Sequence, residues 1–365
     1  MKATHLDAQH STNSGHPASP KLSKTSFPCA TARSLLPKTE LKQATCRICS
    51  HEGLQVHLPV REMMYGTREV FEYFQCPECG CLQIGRIPSD LAHHYKSDYY
   101  SLTSDQTAPY QNPIKNSLNR IRDLIVLFAP LGNHLPFRVR VPHLISSFSA
   151  LRRVPNLRLS NRLLDVGCGS GQLLHRLANA GFQSLTGIDP FVAESRSFNR
   201  SLKIIKGEMS ILDSEYDLIL LNHSFEHLTD PVNAFLRLAE LLAPGGIILI
   251  RIPVVDSLAW KMYDTNWFQL DAPRHLYLHS IESIQRLATQ ARLTVVEVHH
   301  DSDHHQFQMS ERFCANIPTI LPPEDRFMLE SISATASQIK TWKRMSSILN
   351  DIGLGDQACF YLRHE

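Results

Sequence analysis

Leu163-Leu164-Asp165-Val166-Gly167-Cys168-Gly169-Ser170-Gly171 is the stretch whose reading decides the fold. Apolar residues around a single acid predict a short buried strand over residues 162–166, and residues 171–180 carry the apolar spacing of a helix. Between them, three glycines permit positive φ angles and let a ligand approach the bare backbone. Such a strand–loop–helix junction lies at the carboxyl edge of a parallel sheet, where open α/β folds bind their ligands. A dinucleotide fingerprint would place glycine at 167, 169 and 172, but position 172 is Gln172. The actual spacing, Gly-x-Gly-x-Gly, weakens a hydride-transfer reading.

Downstream, the pattern keeps alternating. Further strands are predicted over residues 184–188, 202–205, 216–221 and 247–252, with a helix over 231–242. Pro231 suits a first helical turn, and Pro244-Gly245-Gly246 stops the helix. Strands alternating with helices imply a parallel sheet covered on both faces. Two later strands, over 292–299 and 358–363, flank a helical insert at about 306–354. Acidic Asp189, in Gly187-Ile188-Asp189-Pro190, closes the second strand and can accept both hydroxyls of a ribose. That carboxylate alone would suit a nicotinamide cofactor equally well.

Taken together, residues 163–174, 185–190 and 216–230 resemble the motifs of class I S-adenosylmethionine-dependent methyltransferases. The resemblance implies a seven-stranded Rossmann-like sheet and S-adenosylmethionine as cofactor. It implies that Gly167, Cys168, Gly169 and Gly171 pass the methionine part of the cofactor, with Asp165 holding its cationic amino group. Asp189 matches the ribose ligand, while Glu208 and Met209 match the region bordering the adenine. Asn222 and His223 end the fourth strand, and Phe225-Glu226-His227-Leu228 resembles the segment that follows it in the family.

Upstream lie Cys46-x-x-Cys49 and Cys76-x-x-Cys79, 26 residues apart. Two such knuckles supply four thiolates, and tetrahedral zinc accepts four sulfurs at about 2.3 Å. A closed four-sulfur set points to a structural Zn2+, since a catalytic zinc keeps an open position. The expected organisation is a disordered tail over 1–40, a zinc ribbon over 41–100, a basic helical connector over 101–160 and the methyltransferase domain over 161–365. This order, together with Arg61-Glu62-Met63-Met64-Tyr65-Gly66-Thr67 and Asp271-Ala272-Pro273-Arg274-His275-Leu276, is similar to that of a group of bacterial methyltransferases with an N-terminal zinc ribbon.

Composition sets the outer limits. A chain of 365 residues, 43% hydrophobic and 20% charged, suits two globular domains at roughly 100–200 residues each. No run approaches the ~18 apolar residues of a membrane-spanning helix. The polar start Met1-Lys2 lacks the apolar core of a signal peptide, so a cytoplasmic protein is expected. The net charge of +2 is uninformative, but residues 111–162 hold one lysine and eight arginines against the single acid Asp123. That stretch reads either as a solvated helical face or as a surface for an anionic partner.

Methyl transfer is an in-line displacement at an activated carbon, so the protein mainly aligns the acceptor and excludes water. An acceptor hydroxyl or acidic carbon would benefit from a base near neutral pKa, which singles out His227 and His275 as catalytic candidates. Arg274 either binds an anionic acceptor or caps a local carboxylate. The leading expectation is C- or O-methylation of a small molecule, such as a sugar or cell-envelope glycan intermediate. The alternatives are an RNA methyltransferase gripping nucleic acid through ribbon and connector, and a non-catalytic binding module.

Overall fold

Two runs, Leu218–Leu221 and Ile247–Ile252, are apolar or buried at nearly every position, and they lie side by side at the centre of a large sheet. The computed structural model describes residues 40–95, 113–128, 145–325 and 333–365. In chain order the strands and helices are β1 (Glu40–Thr45), β2 (Glu52–Arg61), β3 (Val70–Gln75), β4 (Leu82–Ile84), α1 (Pro113–Phe128) and α2 (Ile145–Leu151). Next come β5 (Arg162–Val166), α3 (Gln172–Ala180), β6 (Ser184–Asp189), β7 (Arg196–Ser197), β8 (Leu202–Lys206), β9 (Tyr216–Asn222), α4 (Pro231–Leu241), β10 (Leu242–Pro253) and α5 (Leu258–Tyr263). The remainder are β11 (Tyr277–Leu278), α6 (Ile281–Gln290), β12 (Leu293–His300), α7 (His305–Cys314), α8 (Ala336–Asp351) and β13 (Gln357–His364).

The large sheet has the order β12-β13-β10-β9-β5-β6-β8-β7. Strands β10, β9, β5, β6 and β8 run parallel, and β13 is antiparallel to both β10 and β12. Seven strands match the expected sheet; the eighth, β7, is a two-residue antiparallel edge on β8, too short to leave a pattern in sequence. Strand order reverses between β5 and β9, and the crevice above that switch point opens at Val166 and Asn222. Alternate residues of the buried strands feed two layers. Leu164, Ile219, Leu221, Ile248 and Ile250 pack on one face, and Leu163, Leu218, Leu220 and Leu249 on the other.

The cysteine-bearing strands form a second sheet, β1-β2-β3-β4-β11. Its last strand comes from far along the chain: Leu278 pairs with Leu82 and Tyr277 with Gln83. Ile48, Val60, Tyr73 and Leu82 then join the same buried cluster as Ile219 and Ile250. The expected division at residue 100 therefore does not separate two cores. The ribbon borrows a strand and a hydrophobic face from the part that follows it.

The expected connector is partly visible. Helix α1 packs on α3 through buried Asp123, which accepts hydrogen bonds from Arg176 at 2.6 and 2.7 Å. The Arg176 guanidinium also lies over the Phe148 ring. The tail reading of residues 1–39, and Arg138 and Arg140 of the basic stretch, lie outside the described residues. Among the described residues no helix is long and apolar enough to cross a membrane.

Candidate active site

The glycine loop wraps the end of β6. Gly167 donates to the Ile188 carbonyl at 2.8 Å, and its φ of 73° belongs to the region that favours glycine. A Cβ there would stand 2.4 Å from Ser224 Cβ, so glycine is required by space as well as by angle. Ser224 Oγ ties the two strand ends together by donating to the Val166 carbonyl at 2.7 Å.

Asp165 and Asp189 meet beneath this loop. Asp189 Oδ2 accepts from the Gly169 amide at 2.9 Å, and Oδ1 from the Phe191 amide at 2.8 Å. It is thus a clamp on the loop in addition to the ribose ligand the sequence suggests. Asp165 is 4% exposed and accepts no hydrogen bond from the described residues. Burial, with Asp189 adding to it, pushes its carboxyl up to about 7. A carboxylate stranded at a ligand-binding edge fits a cationic amino group, which would supply the charge the protein withholds. Cys168 packs against Gly187, where a Cβ would lie 2.5 Å from its Sγ. Gly171 caps α3 in the left-handed conformation, and Glu208 precedes the turn at Met209 beyond β8.

Beyond β9 the chain turns through Asn222, His223 and the 3-10 turn Phe225–His227. His223 takes a φ of 52° and its Nε2 accepts from Arg251 Nη1 at 2.7 Å. Arg251 also donates to Asn222 Oδ1 at 3.2 Å and to Asp301 Oδ2 at 2.7 Å. The turn places Glu226 at full burial, with neither carboxylate oxygen reached by a hydrogen bond. His223 Nδ1 stands 3.5 Å and His275 Nε2 3.9 Å from its Oε1. Burial alone would push this carboxyl up, but His223, His227 and His275 outweigh it and hold it down at about 2.

His227 and His275 meet edge to face, with ring centroids 4.8 Å apart. Each spends Nδ1 on a backbone carbonyl: His227 on Arg274 at 2.8 Å, and His275 on Gln269 at 2.6 Å. Burial lowers the pKa of His227. Both rings line a cavity of about 690 Å³ shared with Met64, Arg251, Gln269, Asp301 and Gln357. The sequence thus brings the two catalytic candidates together, but Glu226 between them was not singled out. Its signal was the Glu226-His227 pair itself, whose partner His275 lies 48 residues away.

Arg274 resolves differently from one of its two expected roles. It is fully buried and donates to Asp271 Oδ2 at 3.0 Å, to Glu62 Oε1 at 3.1 Å and to the His94 carbonyl at 3.3 Å. An acceptor cannot reach it, so it caps local carboxylates. Glu62 in turn accepts from the amides of Met64, Tyr65 and Thr67 at 2.9–3.0 Å. The two stretches 61–67 and 271–276 are therefore halves of one structure. Trp267 and Tyr263 are core, whereas Phe268 reaches the cavity.

The cysteine knuckles also converge. Cys46 and Cys79 Sγ are 3.6 Å apart, as are Cys49 and Cys76 Sγ, and all four sulfurs lie within 4.8 Å of one another. Four sulfurs at about 2.3 Å from a tetrahedral centre are about 3.8 Å apart. The set fits zinc. Gln83 Nε2 donates to Cys46 Sγ at 3.1 Å, as outer partners of thiolates do.

Three of the described arginines of the basic stretch sit in ion pairs: Arg122 with Asp123, Arg153 with Glu297 and Arg162 with Asp217. This removes part of the charge that a nucleic-acid grip would use.

Residues 138–298 match a family model described as a methyltransferase domain. Trans-aconitate 2-methyltransferase of Shigella flexneri is 28% identical over 174 residues, covering 43% of this chain and 63% of that protein. A ubiquinone biosynthesis O-methyltransferase of Bradyrhizobium is 37% identical over 101 residues, or 24% of this chain and 38% of that protein. A tRNA U34 carboxymethyltransferase of Azotobacter vinelandii is 26% identical over 197 residues, or 48% of this chain and 60% of that protein. The chain thus spans between 38% and 63% of the length of these relatives. With the switch-point crevice and glycine loop, the match places this part of the chain among class I S-adenosylmethionine-dependent methyltransferases.

Proposed function

We propose that the methyltransferase domain transfers a methyl group from S-adenosylmethionine to a small, hydroxyl-rich acceptor held over Glu226, His227 and His275. The observation that carries this reading is the cavity of about 690 Å³, lined by polar side chains as well as Met64 and Phe268, that opens beside the end of β9, where the cofactor crevice lies. When bound, the cofactor supplies a methyl carbon already activated on a sulfonium. The chain's own residues do the rest. Asp165 balances the amino group, Asp189 holds the glycine loop and the ribose, and Glu208 and Met209 border the base. Asn222 and His223 close the methyl end. The donors and acceptors among the lining residues, including Arg251, Gln269, Asp301 and Gln357, suit an acceptor with several hydroxyls. His227 and His275 line the cavity beside it.

The four cysteines hold a structural zinc in this reading, and the sheet they organise serves the acceptor cavity. Met64, from the β2–β3 loop, lines it. The amides of Thr319 and Ile320 donate to the carbonyls of Met63 and Met64 at 2.9 and 2.8 Å, joining that loop to the segment after α7. Ion-paired arginines in the connector leave the RNA alternative without a specific observation in its favour.

Calorimetry with S-adenosylhomocysteine, followed by labelled methyl transfer into metabolite and RNA fractions, tests the reading. Binding to the native protein is expected, with label entering a small molecule. Asp189→Ala should weaken binding at least about tenfold, since a hydrogen bond to a charged group contributes ~1.5–3 kcal/mol. A native protein that binds no S-adenosylhomocysteine would overturn the assignment, and label found only in RNA would overturn the acceptor class.

A further inference from the structure

We propose that Glu226, His227 and His275 form a binding site for one first-row divalent cation, facing the acceptor cavity and separate from the four-cysteine site. This rests on the reading that the cavity holds the acceptor, and it deepens that reading by naming how the two histidines act.

Three observations converge. First, one ligand atom from each residue lies within 4.8 Å of the others, although the residues come from a 3-10 turn after β9 and from a turn before β11. Two nitrogens and a carboxylate oxygen bound at about 2.1 Å would sit about 3–3.5 Å apart. His275 Nε2 stands 3.9 Å from Glu226 Oε1, so the set closes by a small inward rotation of the side chains. Second, both imidazoles hydrogen-bond a main-chain carbonyl through Nδ1. That arrangement fixes the tautomer and presents the other nitrogen with its lone pair free, as metal-binding histidines do. Third, Glu226 is fully buried and neither oxygen accepts a hydrogen bond. A carboxylate in that position is costly unless a positive charge faces it.

Among the described residues only histidines favour its charged form, and the nearby arginines are committed elsewhere. Arg274 is committed to Asp271 and Glu62, and Arg251 to Asp301. His223 Nε2 accepts from Arg251 Nη1 at 2.7 Å. Asp271 Oδ2, 3.9 Å from His275 Nε2, adds negative charge on the far side. A cation between Glu226 and the two rings offsets this excess and leaves coordination positions open to the cavity. Two neighbouring oxygens of the acceptor, as in a vicinal diol or hydroxy acid, fit those positions. Cation coordination lowers the pKa of a hydroxyl, so the acceptor would give its proton to water in the open cavity. Its oxygen would bond to the methyl carbon as the carbon–sulfur bond of the donor breaks and S-adenosylhomocysteine leaves.

The donor set, two imidazoles and one carboxylate with open positions, suits Mn2+, Fe2+, Co2+ or Zn2+ and differs in softness from four thiolates. That difference makes the site testable in the intact chain. Full-length protein carrying one zinc per chain is titrated with Co2+, read by calorimetry and visible absorption. The expected result is one further equivalent with weak d–d bands and no sulfur-to-cobalt charge transfer. E226Q and H275Q should each weaken that equivalent at least tenfold while keeping a cooperative melt and S-adenosylhomocysteine binding. Should E226Q fail to fold, H275Q at the cavity wall decides. No second equivalent in the native protein overturns the proposal. So does one that survives both substitutions, or one abolished only by H305A, which would place it at the separate group Asp303, His304 and His305. Loss of S-adenosylhomocysteine binding by the native protein would instead remove the methyltransferase reading, leaving the cobalt count to be judged by itself.

Discussion

The two sheets reach stability by different routes. Every central strand of the large sheet is buried on both faces, and alternate residues supply two hydrophobic layers. The small sheet leaves Leu41, Leu54, Val56 and Val70 exposed. Docking of Val60, Tyr73 and Leu82 on the shared core and a borrowed two-residue strand hold it, beside four cysteines that could hold a metal ion. One sheet is an outcome of apolar burial; the other, with the zinc proposed above, is one of ligation and docking. The lesson is that the small sheet and the acceptor cavity should stand or fall together, while the cofactor crevice depends on the large sheet alone.

If the four cysteines hold the proposed zinc, the largest effect should come from removing it. Structural zinc contributes ~10–16 kcal/mol of apparent binding energy in small zinc-binding peptides. Chelation, or Cys46→Ser with Cys76→Ser, should therefore abolish hydrogen-exchange protection over residues 46–84. Methyl transfer should disappear with it, because Tyr73 Oη holds the His275 carbonyl at 2.8 Å and Glu62 holds Arg274. Binding of S-adenosylhomocysteine should persist. If it vanishes at the same chelator concentration, the two sheets are one folding unit and the contrast fails.

A smaller effect is expected at the seam. Glu62→Ala strands Arg274 against Asp271 and frees the amides of Met64, Tyr65 and Thr67. Removing one partner of a buried ion pair costs ~3–5 kcal/mol. Urea unfolding should show a loss of that order, with the acceptor's KM rising more than that of S-adenosylmethionine. A loss below about 1 kcal/mol would mean that the seam relaxes into water.

The smallest effect sharpens the large-sheet side of the comparison. Asp165 has a carboxyl raised to about 7, chiefly by burial. Its folded pKa lies above its unfolded value near 3.9, so the folded state holds the extra proton between those limits. Stability of the cofactor-free protein should fall as pH rises from about 4 to 7, and Asp165→Asn should flatten that slope. Asp356, also raised to about 7 by burial, keeps part of it. A cationic amino group favours the ionised form, so S-adenosylhomocysteine binding near pH 6 should release protons. Calorimetry in two buffers of different ionisation enthalpy measures this, and proton uptake would contradict the role given to Asp165.

The large sheet was legible in sequence because its information is local. Each buried strand is a continuous apolar run, and Gly167 and Gly171 mark positive φ angles at one loop. The cysteine knuckles were legible because ligand spacing is local too. What escaped was pairing between distant segments. Glu62 with Arg274, Glu226 with His275, and β11 with β4 join residues whose separation leaves no periodicity to read. The short edge β7 escaped for a different reason, since two residues have no pattern. Arg274 illustrates the limit best: its charge was visible, but only packing decides whether a charge faces a ligand or a neighbour.

Strand β13 lies inside the large sheet, between β10 and β12. On a ribosome, β12 therefore emerges more than fifty residues ahead of its partner in the described sheet. At about 5–20 residues per second, that interval lasts several seconds. Throughout it, the nascent chain offers the open hydrogen-bonding edge of β10, an apolar strand, to any other extended chain nearby. Slower translation across residues 301–356 would lengthen this exposure without altering the finished molecule, so yield in cells should respond to codon choice in that interval.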